Sequence, residues 1–296
     1  MKYRNFLIVI VFVFGSFSSF AQSNLLNAKT PEEIGKKTAA QLNSDNDKPL
    51  PYGYVHDRDV MMGKTSWEII DLDERINMPL YYPVDTANIG KDRRSLYDVL
   101  IKGIGEGKIT EVYTDSYFNT KKTLKDIQAA LIRIDTTDPG REQFNAGLTI
   151  DPQYIVTQTL EAYNVTDYKI KGYWYFDKRQ GELKYRLLGL CPVTPDVFTM
   201  DKDEQDYIEL FWVFFPEARD VLHEAKAFND KNSAMGISFD HLLNSRKFSA
   251  VIYKEENVFG DRLIDEYMKD NAQLQLLESE RVKEKIRNFE QDMWAY

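Results

Sequence analysis

The sequence predicts an α+β fold: two related strand–helix–helix–strand halves, an antiparallel hairpin between them, and a long C-terminal helix. Three observations predict it. A pattern of aromatic strand, acidic helix start, Ser-led helix and second strand occurs twice in the same order, around Trp67 and around Trp212. Tyr168–Phe176 and Leu183–Val193 are β-rich runs on either side of the turn-forming Asp177–Gly181. Beyond Asp261 the chain contains no Pro or Gly.

Residues 1–21 stand apart from that fold. Lys2 and Arg4 precede the apolar run Phe6–Phe14, and Ser19-Phe20-Ala21 places small residues at −3 and −1, the pattern of a signal peptide cleaved before Gln22. The run is shorter than the ~20 residues of a membrane span, and no Cys follows it to take a lipid. Export as a soluble chain, without direct membrane insertion, is the expectation. Residues 22–50 read as a flexible arm, polar through Asn43–Asp47 and stiffened by Pro49 and Pro51.

Residues 51–163 are expected to form the first half. Trp67–Ile70 is its first strand, and Asp71 caps a helix with Glu74 three residues on, in the manner of a capping box. Ser95 caps the next helix, Ile109–Thr114 is a strand, and Leu124–Ile132 a further helix. Asp135–Gly147 reads as turn, and Asp151-Pro152 as the start of a helix. The second half, 164–260, contains the hairpin, on which Ile170, Gly172, Trp174 and Phe176 share a face. Leu210–Phe215 must be strand because Pro216 suits the first turn of a helix and not its interior. Ser238 caps the next helix, and Phe248–Tyr253 is the closing strand. Residues 261–296 read as one helix, passing through Arg262–Met268, with Val282, Ile286, Phe289 and Met293 as a stripe expected to pack on the core, docking on a neighbour being the other reading.

Composition narrows the function. The chain has 43% hydrophobic and 13% aromatic residues, enough for a folded core. Without Lys2 and Arg4 it carries 36 basic against 47 acidic residues, a net charge of −11. That argues against nucleic acid and anionic lipid as partners. A single cysteine, Cys191, lies in an apolar run and reads as a buried small hydrophobe.

Residues 49–83 mix aromatic and aliphatic side chains with two charged clusters, His56-Asp57-Arg58-Asp59 and Asp71-Leu72-Asp73-Glu74-Arg75. Such a mixture suits a protein–protein contact, in which Tyr, Trp and Arg dominate. An edge strand and helix with a solvated charged face is the other reading. Trp67, Ile70-Asp71-Leu72, Glu74-Arg75-Ile76-Asn77 and Pro79-Leu80-Tyr81-Tyr82-Pro83 resemble the GldN/PorN family. So do Pro51-Tyr52, Arg58-Asp59-Val60-Met61 and Tyr185-Arg186-Leu187-Leu188-Gly189-Leu190. The resemblance runs from Pro49 to Tyr267 and departs at a turn, Met62-Gly63, where an aromatic or basic residue is expected.

The resemblance implies a structural component, not an enzyme, of the Bacteroidetes type IX secretion and gliding machinery. The implied location is the periplasm, attached to the outer membrane through a GldK/PorK-type lipoprotein. There it would form a ring with that lipoprotein and further copies of itself, with inner-membrane motor components as additional partners. The residues expected at the partner interface are Arg58, Asp59, Trp67, Asp71, Arg75, Leu80 and Tyr81.

The catalytic alternatives are thinner. His56, His223 and His241 lack metal-ligand spacing, and no G-x-S-x-G occurs. Gly103, Gly105 and Gly107 follow a helix instead of opening one, so a helix end is expected and not a phosphate loop. The acids of Asp201–Asp206 lack the offsets of an EF-hand. No cofactor or metal is expected. Two rival functions stay open: a periplasmic hydrolase using Asp71, Asp73 and Glu74, and a solute-binding module with its cleft between the halves.

Overall fold

The computed structural model describes residues 48–85, 94–200, 202, 205–229, 236–269 and 271–294. The expected signal peptide, nearly all of the arm, and Asp201, Asp203 and Glu204 of the acidic run lie outside them. In chain order the strands are β1 (Val60–Asp71), β2 (Val112–Tyr113), β3 (Lys121–Lys122), β4 (Ile132–Thr136), β5 (Ile155–Thr159) and β6 (Asp167–Asp177), then β7 (Glu182–Pro195), β8 (Tyr207–Glu209), β9 (Trp212–Phe214), β10 (Lys226–Ala227), β11 (Ile237–Ser238) and β12 (Val251–Glu255). The helices are α1 (Met78–Tyr81), α2 (Leu96–Gly105), α3 (Leu124–Leu131), α4 (Asp138–Asn145), α5 (Phe215–Glu224), α6 (Phe239–Asn244), α7 (Ile264–Tyr267) and α8 (Ala272–Trp294).

One antiparallel sheet organises these elements, in the order β12-β1-β6-β7-β9-β2-β3, with β8 also paired to β7. Its middle is the expected hairpin, β6–β7. On one side of it stand β1 and then β12; on the other stand β9 and then β2. The opening strand of the first expected half, β1, thus pairs with the closing strand of the second, β12. The opening strand of the second, β9, pairs with the closing strand of the first, β2. Strands of the two expected halves thus interleave in a single sheet, and Trp67 and Trp212 meet in one buried cluster with Cys191.

The helices bury one face of this sheet. Leu96, Leu100 and Ile104 of α2, Phe215 and Leu222 of α5, and Phe239 and Leu243 of α6 pack with Ile70, Ile170, Leu187, Leu190 and Val213. Each fully buried side chain of this size contributes ~1.5–3 kcal/mol. Helix α8 brings Val282 and Ile286 against Ile252 and Ile264, and Phe289 stacks edge-on to Phe176 at 5.9 Å. The stripe packs on the core, as its spacing predicts.

Local signals hold where a capping side chain decides. Ser95 Oγ accepts from Asp98 N–H and Ser238 Oγ from His241 N–H, each at 3.2 Å. Pro216 occupies the first turn of α5. Gly107 takes φ 71°, and Gly103 O accepts from Lys108 and Ile109 N–H, so the glycine run ends α2.

Several expectations need correction. Asp71 caps no helix: it ends β1, and its Oδ1 accepts from Asp73 N–H at 2.8 Å, while Glu74 is extended. Only a 3-10 turn (Arg75–Asn77) and the single turn of α1 follow. Met62-Gly63 is no turn but part of β1, and β1 is no edge, since β12 and β6 flank it. Ile109–Thr114 shrinks to β2, because Ile109 N–H is spent on Gly103 O. The closing strand starts at Val251 and not Phe248, since Ser249 N–H goes to Asn77 Oδ1. The expected turn Asp135–Gly147 holds the end of β4 and all of α4, with Pro139 in its first turn. Asp151-Pro152 opens only a 3-10 turn, which gives way to the β-branched Ile155-Val156-Thr157. The C-terminal helix is broken: α7 ends at Tyr267, and Asn271 Oδ1 caps a new helix by accepting from Leu274 N–H at 3.1 Å.

Candidate functional site: the Pro49–Pro83 surface

The matched stretch enters the fold as a strap, a long strand and a bend. The strap, Leu50–Tyr54, forms no strand and is held by three arginines from three elements. Arg219 of α5 donates to Leu50 O at 2.7 Å, Arg186 of β7 to Gly53 O at 3.2 Å, and Arg179 of the hairpin loop to Tyr54 O at 3.4 Å. The Tyr52 ring lies between the guanidiniums of Arg219 (4.1 Å) and Arg186 (4.6 Å), and its hydroxyl donates to Asn244 Oδ1 at 2.8 Å. Burial raises the Tyr52 hydroxyl above its ordinary pKa, against the opposing field of Arg219. Arg219 is fixed in turn by both carboxylate oxygens of Asp240, at 2.7 and 3.1 Å. A guanidinium offers several fixed donors, so it can hold a carboxylate, a carbonyl and a ring at once. The sequence shows Pro51-Tyr52 but not the arginines, which are spread from Arg179 to Arg219.

Strand β1 is bound deeply. Glu68 is fully buried, accepts from Arg246 at 2.7 and 3.3 Å and from Ser66 Oγ at 3.0 Å, and so ties β1 to the segment that follows α6. Trp67 points to the other face, where Lys254 Nζ lies 4.5 Å and Lys171 Nζ 5.1 Å from its ring. Burial and the neighbouring Lys254 lower the pKa of Lys171. Tyr117 closes over both ammonium groups; burial first, and then its hydrogen bond to Asp261, push its pKa up to about 12.

The bend after β1 is pinned by Asn77. Its buried carboxamide donates to Asp71 O at 2.7 Å and Ser249 O at 3.0 Å, and accepts from Ser249 N–H at 2.9 Å. With Leu72, Asn77 and Leu80 buried, the intervening side chains turn outward: Arg75, Ile76 and Met78 are exposed, and Tyr82 follows them.

The residues expected at the partner interface therefore separate by depth. Arg58, Asp71 and Arg75 are exposed, and Tyr81 is half-buried with its hydroxyl donating to Tyr163 O at 3.1 Å. Asp59 is buried and paired with Arg179 Nε at 3.1 Å. Trp67 and Leu80 are core residues at 1% exposure each, so any role at a contact is to hold the exposed ones in place. Ile76, Met78 and Tyr82 were not singled out from the sequence, although they lie inside the motif. Asp71 and Asp73 share one turn, and Arg75 makes no ion pair among the described residues. His223 Nδ1 lies 4.0 Å from Asp240 Oδ2, a carboxylate already committed to Arg219. Among the described residues no group of three or more His, Cys, Asp or Glu is placed to hold a metal ion, and no helix is long and apolar enough to cross a membrane.

Residues 55–295 match a family model described as gliding motility associated protein GldN. No curated protein matches the chain.

Proposed function

We propose that this chain, which belongs to the GldN family of gliding motility associated proteins, is a non-enzymatic structural component of the type IX secretion and gliding machinery. It acts in the periplasm, joined to the outer membrane through a GldK/PorK-type lipoprotein, with which it and further copies of itself build a ring. Inner-membrane motor components are its other partners. The observation that carries this reading is the bend Asp71–Tyr82. Its buried residues fix the backbone, while Arg75, Ile76, Met78 and Tyr82 stand outward beside Asp71 and Asp73. Exposed apolar side chains around an arginine with no ion pair among the described residues, on a rigid frame, form the kind of anchor that protein contacts use.

Replacing Arg75 with Ala tests it. The fold should persist, because the side chain is exposed and makes no ion pair among the described residues. Co-purification with the lipoprotein should fall by at least ~2 kcal/mol, or about thirtyfold in affinity, if Arg75 is a hot spot. An unchanged complex would remove Arg75 from the interface.

A further inference from the structure

We propose that β4 is a self-pairing edge, along which two copies of this chain join antiparallel to give a four-stranded sheet β5-β4-β4-β5. The proposal rests on the self-association just inferred and supplies its surface.

The edges of the large sheet are guarded. One ends in the two-residue β3, which is Lys121-Lys122; at the other, β12 is bridged by Leu263 and packed under α8. Short, charged or covered edges resist strand addition. By contrast β4 is five residues long and, among the described residues, pairs with β5 alone. Leu131 O accepts from Leu160 N–H, and Thr137 N–H donates to Tyr154 O. The odd-numbered residues of β4 therefore turn their peptide groups toward β5, and Ile134 and Thr136 turn theirs to the open edge. The side-chain face carrying Ile132, Ile134 and Thr136, with Ile155, Thr157 and Thr159 opposite, has no charge. Ile134 is 66% exposed.

The charge pattern of the strand names the occupant. With a twofold axis at Ile134, Arg133 of each copy lies across from Asp135 of the other, Ile134 faces Ile134, and Ile132 faces Thr136. Sliding the pairing to the next symmetric register on either side sets Arg133 against Arg133 or Asp135 against Asp135, and directly opposed like charges destabilise a strand pair. One register is thus selected over its neighbours. Within one copy Arg133 already reaches Asp135 at 2.5 Å and Val197 O at 3.3 Å, so the guanidinium is held along the strand while the Asp135 carboxylate beside it stays half exposed. An unrelated strand would have to reproduce this Arg-x-Asp order, which a second copy carries by construction.

Cysteine cross-linking of the purified chain, without its expected signal peptide, tests the pairing. Directly opposed residues in a hydrogen-bonded antiparallel pair are ~5.5 Å apart at Cα, within disulfide reach, and the native Cys191 is buried. Ile134→Cys should give a covalent dimer on mild oxidation, and Val258→Cys, at a position 93% exposed, should not. Ile134→Lys should lose self-association in sedimentation while its circular dichroism stays unchanged. Asp135→Arg should lose it as well, and Arg133→Asp with Asp135→Arg should restore it. Cross-linking as fast at 258 as at 134, no cross-link at 134, or an Ile134→Lys chain that sediments like the parent would overturn the proposal. A deletion strain that loses gliding while position 134 fails to cross-link removes β4 and leaves the functional reading standing. Cross-linking at 134 with gliding intact in that strain does the opposite.

Discussion

Arg246 tests how firmly β1 is tied to the later part of the chain. Its guanidinium donates to both oxygens of the fully buried Glu68 and lies against the rings of Tyr185 (4.1 Å), Trp174 (4.9 Å) and Phe248 (5.2 Å). Arg246→Ala would leave that carboxylate with only the Ser66 hydroxyl, and breaking a buried pair from one side costs ~3–5 kcal/mol. The backbone adds a second, opposing effect. Arg246 sits at φ 50°, a left-handed conformation that costs an L-residue ~1–2 kcal/mol. Arg246→Gly loses the same pair but releases this strain, so it should be more stable than Arg246→Ala by ~1 kcal/mol, even though glycine usually destabilises. Denaturant unfolding followed by circular dichroism at neutral pH measures both, and the melting temperature of the alanine variant should drop by on the order of 10 °C. A loss below ~1 kcal/mol for Ala would refute the buried-pair argument. A glycine variant less stable than the alanine one would refute the strain argument.

Three further outcomes follow from the geometry. Gly172→Ala would drive a Cβ into the half-buried Tyr185 ring, which is packed against Arg246 and Trp174, and should lower stability by ~1–3 kcal/mol in thermal unfolding. Tyr52→Ala should expose the strap to protease cleavage near residues 50–56. Tyr52→Phe keeps the ring between Arg186 and Arg219 and should stay resistant, losing only the Asn244 hydrogen bond at ~0.5–1.5 kcal/mol. Glu278 is held below the ordinary carboxylate pKa, first by its hydrogen bond from Arg281. Its contribution is therefore complete above the unfolded value near 4.5 and is lost as pH falls through the folded one. Unfolding measured between pH 6 and 3 should show this loss in the parent and a shallower slope in Glu278→Gln.

What the sequence reveals divides by the range of the interaction. Ser95, Ser238 and Pro216 mark helix starts because a cap or a missing N–H acts within one turn. The hairpin is legible because its strands are neighbours in the chain. Where two local signals compete, reading fails: the spacing of Asp71 and Glu74 suits a cap, but the Asp71 carboxylate is taken by the Asp73 amide in a turn. Asn271 is a sound helix start that the lack of Pro and Gly around it disguises. The partnership of β1 with β12 joins Ser66 to Glu255, and no local pattern encodes it. At the candidate site the stretch itself was legible, but the division of its residues between core and surface was not. Trp67 and Leu80 look like anchors in the sequence, whereas both are buried and it is Ile76, Met78 and Tyr82 that stand at the surface.

The pairing of β1 with β12 also bears on when the sheet can be completed. β1 lacks one of its two neighbours until β12 has been made, and β12 lies near the end of the chain. A polypeptide emerging from its N-terminus therefore carries β1, with Trp67 and Ile70, past most of its own length before the sheet can close. Contacts of such separation slow folding and leave apolar strands open in the meantime. The expected first half is therefore not complete by itself: its opening strand gains its last neighbour only when nearly the whole chain has been made.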